Sequence, residues 1–160
     1  MKRFLKFAHT LGAVGLMGAA ACLLVLLRFL PDPSALAEYA QMRAGMAAVS
    51  KWVFMPSLTL TLLAGLLSMA ATKGFQDAGW VLIKLATGVL VFEMGLVGVD
   101  GPMGKEAALA AEALKGNAGA GKLGASLGSE ATTLWLLMGV SVANVALGVW
   151  RPRLLRRQRG

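Results

Sequence analysis

Residues 7–30, 53–72, 79–98 and 132–150 are nearly unbroken apolar runs, separated by polar or glycine-rich segments. As a helix, about 20 apolar residues cross the roughly 30 Å hydrocarbon layer of a bilayer. The pattern therefore predicts an all-α integral membrane four-helix bundle, one membrane domain over residues 1–160. Pro31-Asp32-Pro33-Ser34 cannot continue the first helix. Ser34 is then placed to cap a short amphipathic helix, through about residue 51, that lies at the interface. Lys73 to Ala78 makes a short loop, so the second and third spans are antiparallel neighbours. Asp100-Gly101-Pro102 reads as a turn, and residues 105–115 as a polar helix with charges spaced for i,i+4 contacts. Residues 100–131 together read as a flexible, glycine-rich loop.

Within the spans, small and polar residues recur at helical spacing. Ser57, Thr61, Gly65, Ser68 and Thr72 line one face of the second span. Such a stripe is read first as packing and hydrogen-bond glue between helices. In the third span Gly88, Val91, Gly95 and Gly98 lie on the side of Lys84 and predict close approach of another helix. Nine residues separate Lys84 from Glu93, which puts the two on opposite sides of an ideal helix. They are not an obvious ion pair. Glu93 is read as hydrogen-bonded to a Ser or Thr stripe on a neighbour, since an ionisable group inside a bilayer pairs, faces a cavity or does a job. Gly12, Gly15, Ala19 and Cys22 form a narrow small-residue face beside His9.

Composition agrees with this picture: 57% of residues are hydrophobic, only 15% are charged, and mean hydropathy is +0.67. An ordinary soluble globule is excluded. The formal charge of +8 sits mainly beside the spans, which points to membrane topology rather than nucleic acid. If both termini are cytoplasmic, that side holds Lys2, Arg3, Lys6, Lys73 and Arg151, Arg153, Arg156, Arg157 and Arg159. The opposite side holds Arg28, Arg43, Lys51, Lys105, Lys115 and Lys122. Nine against six predicts an N-in, C-in protein of the bacterial inner membrane. The basic start and Ala19-Ala20-Ala21 also fit a secretory signal, but the apolar run continues to Leu30 and is read as a retained helix. One cysteine, Cys22, allows no disulfide within the chain and no cysteine-rich zinc or iron–sulfur site. The segment GAGKLGAS is not a phosphate-binding loop, because Leu123 stands where serine or threonine is required.

Candidate chemistry concentrates on His9, the sole histidine, which the topology places at the depth of Lys84. The nine methionines are scattered without a repeated metal-binding spacing and read as packing. Lys6-x-x-His9, Met42-Arg43, the run from Pro56 to Gly65 and Gly79-Trp80 with Lys84 occur in a characteristic order. In that order the chain, over about residues 3 to 98, resembles small four-helix membrane proteins. These include the HemJ-type protoporphyrinogen oxidases and the CopD-type copper-resistance proteins. The resemblance implies a b-type haem, with His9 and Lys84 at the functionally required histidine and lysine positions. It implies His9 as the haem iron ligand and, if the chain is an enzyme, a membrane oxidoreductase. With haem bound, the second axial position falls to none, to Met69, or to His9 of a second copy. Two other readings stand beside it: a CopD-like metal-handling or transport protein using Glu93 and the Ser57–Thr72 stripe, and a non-catalytic accessory subunit. The small-residue faces also suit a homo-oligomer or a larger membrane complex.

Overall fold

The computed structural model describes residues 2–71, 79–117 and 120–150, and it is all-helical among them. Helix α1 runs Lys2–Arg28. Its Leu5, Ala8, Leu16, Ala19, Ala20 and Leu23 are buried at helical spacing along one face. The chain then turns at Asp32, whose carboxylate accepts the Ser34 N–H at 2.9 Å. The backbone carbonyl of Asp32 accepts the Ala35 N–H, also at 2.9 Å. Asp32 thus builds the turn expected of Ser34, and the next helix has Ala35 as N-cap with no side-chain cap bond.

From there the structure departs from the sequence pattern. Helices α2 (Leu36–Val49) and α3 (Met55–Ala70) are one continuous rod, joined by a π-helical segment at Ser50–Phe54. Helices α4 (Gly79–Gly95) and α5 (Gly101–Leu114) are likewise joined through a π segment at Leu96–Asp100. The expected interfacial helix is therefore no separate element, and the expected turn at Asp100-Gly101-Pro102 is helical. The physical reason lies in the prolines. Pro56 and Pro102 lack an N–H and crowd the carbonyl four residues back. The residues just before them, Met55 and Gly101, bond instead to the carbonyls of Ser50 and Leu96, five residues back. Widening the helix for one turn lets each rod pass its proline unbroken.

A 35-residue rod is about 52 Å long, well over the roughly 30 Å of a hydrocarbon layer. About 20 Å must project beyond it. The projecting parts, α2 and α5, pack on each other and form a head. Helix α6 (Leu127–Trp150) returns from the head after a short 3₁₀ turn at Ala120–Lys122. It starts five residues before the expected span at Thr132, so part of the expected flexible loop is helical. Gly116 and Gly124 adopt φ of 80° and 83°, the left-handed conformations that shape this return. The loop at residues 72–78 and the basic tail lie outside the described residues.

Below the head the helices form a ring, with α1 against α3 and α6, and α4 against the same two. Its core includes Leu16, Leu23, Phe54, Leu58, Val91, Leu134 and Leu137. Its outer surface carries Phe7, Leu11, Val14, Leu63, Leu90 and Val145, all exposed. Among the described residues three helices are long and apolar enough to cross a membrane: Arg3–Arg28, Leu36–Ala70 and Leu85–Leu114. The exposed apolar girdle has the form required of a surface solvated by lipid.

Candidate functional site

His9 lies against Gly65 of α3, where a Cβ would sit 3.4 Å from both Cε1 and Nδ1 of the ring, at contact distance. There His9 Nδ1 meets the Thr61 backbone oxygen at 2.8 Å. A carbonyl only accepts, so Nδ1 carries the proton, and in the neutral ring Nε2 is left with its lone pair. The residue is exposed. Histidines that ligate metal are commonly held this way, one nitrogen donating to a fixed acceptor while the other faces the metal.

Ser57 and Thr61 of the polar stripe on α3 are packing. Thr61 Oγ1 donates to the Ser57 carbonyl within the same helix at 2.7 Å. Gly12 lies directly against Thr61, where an added Cβ would come 2.9 Å from Ser57 O, and Gly15 abuts the Ser57 side chain. Thr72 lies outside the described residues. Met69 is one turn, about 6 Å, beyond Gly65 toward the chain termini.

Register places Lys84 at the same level. Gly88 faces Leu62, with a virtual Cβ distance of 3.6 Å, and Gly95 faces Phe54 at 3.1 Å. In antiparallel helices these pairs put the backbone of Lys84 beside Gly65, hence level with His9. Lys84 is seven residues before buried Val91 on the same helix. Its side chain lies outside the described part. One turn away, Thr87 Oγ1 donates to Asn144 Oδ1 across α4 and α6 at 3.1 Å. His9 with Thr61 and Thr87 with Asn144 thus form one polar layer near the termini end of the bundle. Glu93 is not part of it. It is exposed on the outer face of α4, and the structure does not bring it to the Ser57–Thr61 stripe, which faces α1.

A second polar cluster, which sequence reasoning missed, lies in the head. Arg43 and Glu130 are completely buried and paired, Nη1 to Oε2, at 2.7 Å. Tyr39 donates its hydroxyl proton to Glu106 Oε1 at 2.7 Å and accepts from Arg43 Nε at 3.1 Å. Ser126 Oγ lies between the two carboxyls, 2.8 Å from Glu130 Oε1 and 3.4 Å from Glu106 Oε2. The Gly124 N–H also donates to Glu106. Arg43 Nη2 alone lacks a hydrogen bond, at 4.0 Å from Glu106 Oε1. Burial, with the bond to Glu106, pushes the Tyr39 hydroxyl up from 10.0 to about 12. One signal could have revealed this cluster. Tyr39, Arg43, Met46 and Ser50 recur at spacings of 4, 3 and 4, and Val99, Met103, Glu106, Ala110 and Ala113 at 4, 3, 4 and 3. Both are buried seams carrying a charge at a core position. At the neck, Ser50 Oγ donates to Asp100 Oδ1 at 2.9 Å, tying one π segment to the other.

The head network leaves only Arg43 Nη2 unbonded, and in the polar layer His9 Nε2 has no partner among the described residues. Among the described residues no group of three or more His, Cys, Asp or Glu is arranged to hold a metal ion. A single axial ligand to a porphyrin iron needs no such group. No protein-family model, curated protein or solved structure matches the chain.

Proposed function

We propose that the chain is a four-span protein of the bacterial inner membrane, with both termini cytoplasmic and the head in the periplasm. It holds a b-type haem or related tetrapyrrole through His9, in the manner of the HemJ-like proteins it resembles. The observation that carries this reading is the His9 ring itself, with Nδ1–H fixed on the Thr61 carbonyl and Nε2 without a partner among the described residues. Haem bound there would supply one-electron redox chemistry. The chain's contribution is to fix the imidazole's tautomer and tilt through Thr61, with Gly65 packed against the ring. Lys84, at the same level, is the cation for a propionate or a substrate carboxylate. A metal-handling or transport protein using Glu93 and the Ser57–Thr72 stripe is the second reading, and it draws less support because Glu93 is exposed on the outer face of α4.

Absorbance of the purified protein, made with ample haem supply, tests the reading. A Soret band is expected in the wild type, lost in His9→Ala and retained in Lys84→Ala with altered activity or weaker binding. A wild type without the band, or stoichiometric haem in His9→Ala, overturns it. Reporter fusions after Trp150 and within residues 115–124 check the orientation independently.

A further inference from the structure

Helix α6 carries two polar side chains on the face that holds its buried core. Asn144 lies seven residues after Leu137 and fourteen after Glu130, both buried, so it keeps to their side of the helix. Ser141 lies four residues after Leu137 on the same side. The 3.1 Å bond that Asn144 Oδ1 accepts from Thr87 Oγ1 of α4 agrees with that direction. Both side chains keep donors in hand. Asn144 Nδ2 has no partner among the described residues, and neither has the Ser141 hydroxyl. Residues three apart on a helix are neighbours, with about 5–6 Å between their Cβ atoms. An N–H₂ and an O–H thus share one patch, inside a span where a donor has no water to turn to.

The patch lies at the depth of His9. Gly98 abuts Thr133, and eleven residues from that contact along each helix Thr87 meets Asn144. Next to Thr87, Gly88 faces Leu62, three residues from the Gly65 that lies against His9. Helix α6 also packs against α1, so His9 and the patch stand on adjacent helices at one level. The large side chains of the core end above it, at Leu58, Val91 and Leu137. At the level of the patch the buried positions on α1 and α3 are Ala8, Gly12 and Ala64.

The geometry points to Asn144 and Ser141 as hydrogen-bond donors to a carboxylate of the bound tetrapyrrole. This rests on the reading of His9 as the haem ligand, and it assigns the acidic edge of that ligand to α6. A carboxylate only accepts, at about four lone-pair sites, which matches a patch that has only donors to give. Bonds to a charged acceptor are about twice as strong as neutral ones. Thr87 holds the amide by its oxygen and leaves the N–H₂ as the end available to a ligand. An apolar edge placed there would leave both donors unmade, so the patch selects for an acidic side chain. Lys84, three residues from Thr87 on α4, belongs to the same side of the site.

Titration of the purified apoprotein in detergent, followed by the Soret band, tests this. Two probes are compared: haem b, and iron octaethylporphyrin, which carries no carboxylate. The wild type is expected to bind haem more tightly. Asn144→Leu should weaken haem binding about tenfold and Ser141→Ala about threefold, with binding of octaethylporphyrin unchanged in both. Unchanged binding of that probe also shows that the variants are folded. Thr87→Val removes the same interhelical bond as Asn144→Leu but keeps the amide, and should retain most of the preference for haem. Equal loss in Thr87→Val and Asn144→Leu, equal loss for both probes, or a haem preference that survives Asn144→Leu overturns the proposal. A wild type in which neither probe gives a Soret change overturns the haem reading and this inference with it. A Soret band that depends on His9 while the preference ignores both α6 substitutions overturns this inference alone.

Discussion

The head and the bundle treat polar groups in opposite ways. In the head, an arginine and two glutamates are buried together, and every group but Arg43 Nη2 is hydrogen-bonded. In the termini-end layer of the bundle, neutral groups meet instead, a ring nitrogen with a carbonyl and a hydroxyl with an amide. A buried charge is tolerated only where partners offset its desolvation, and the head supplies them for all but Arg43 Nη2. The head is accordingly the clamp, holding α2, α5 and the start of α6 together. The layer holds the imidazole to which the proposed function assigns the haem.

That contrast breaks most sharply at Arg43. Arg43→Met leaves Glu106 and Glu130 buried without their cation, and a loss of about 3–5 kcal/mol in unfolding free energy is expected. Near-wild-type thermal stability would show that water reaches the network. Tyr39→Phe removes one bond to Glu106 and one from Arg43, for a smaller loss of about 1–3 kcal/mol. Tyr39 also gives the network a pH signature. Its hydroxyl is raised from 10.0 to about 12 in the folded chain, so folding favours the protonated form. The stability this confers is complete below pH 10 and is lost as pH rises toward 12. Tyr39→Phe should lack that alkaline loss. Because the chain has a single tyrosine, tyrosinate absorbance reports the titration directly.

In the bundle the expected effects are smaller and set by space. Gly95→Leu must displace Phe54 and Leu58 and should lower the melting stability by about 1–3 kcal/mol. Gly88→Ala meets Leu62 only at ordinary contact distance and should be tolerated. Equal damage from both would mean that α3 and α4 are closer at the termini end than the register implies. Thr87→Val, which removes the bond to Asn144, should cost least, about 0.6 kcal/mol. A loss as large as that of Tyr39→Phe would erase the distinction between the two regions.

Much of this architecture was legible in the order of residues. The apolar runs located the bundle parts of the helices, and the Gly88, Gly95 and Gly98 stripe does face neighbouring helices. His9 and Lys84 were placed at one level by counting residues, and the register agrees. The rods were not legible, because Pro56 and Pro102 read locally as helix boundaries. Whether a proline ends a helix or is bypassed by a π turn depends on what packs beyond it. Arg43 with Glu130, 87 residues apart in the chain, was hidden for the same reason. Each charge alone looks like a solvated residue on a polar helix. Its partner exists only once α2, α5 and α6 meet. Glu93 illustrates the converse, since the spacing assigns it a side of the helix but could not say that this side is the outside.

The two π segments have a consequence for phase. Each adds one residue to its rod without adding a turn, which rotates everything beyond it by about 100°. The inward positions show the shift. Along the second rod they run Val91, Gly95, Val99, Met103 and Glu106, where alternating three and four from Val91 and Gly95 would have reached Gly98, Pro102 and Lys105. Along the first rod Met46, Ser50, Phe54 and Leu58 show the same extra step. The seam of the head and the seam of the bundle are thus two separate stripes on each rod, spliced at the neck. Removing one residue from a single segment would turn Arg43 or Glu106 out of the network while leaving the bundle face intact. The neck tied by Ser50 and Asp100 is the point where the two halves of the molecule are set to a common angle.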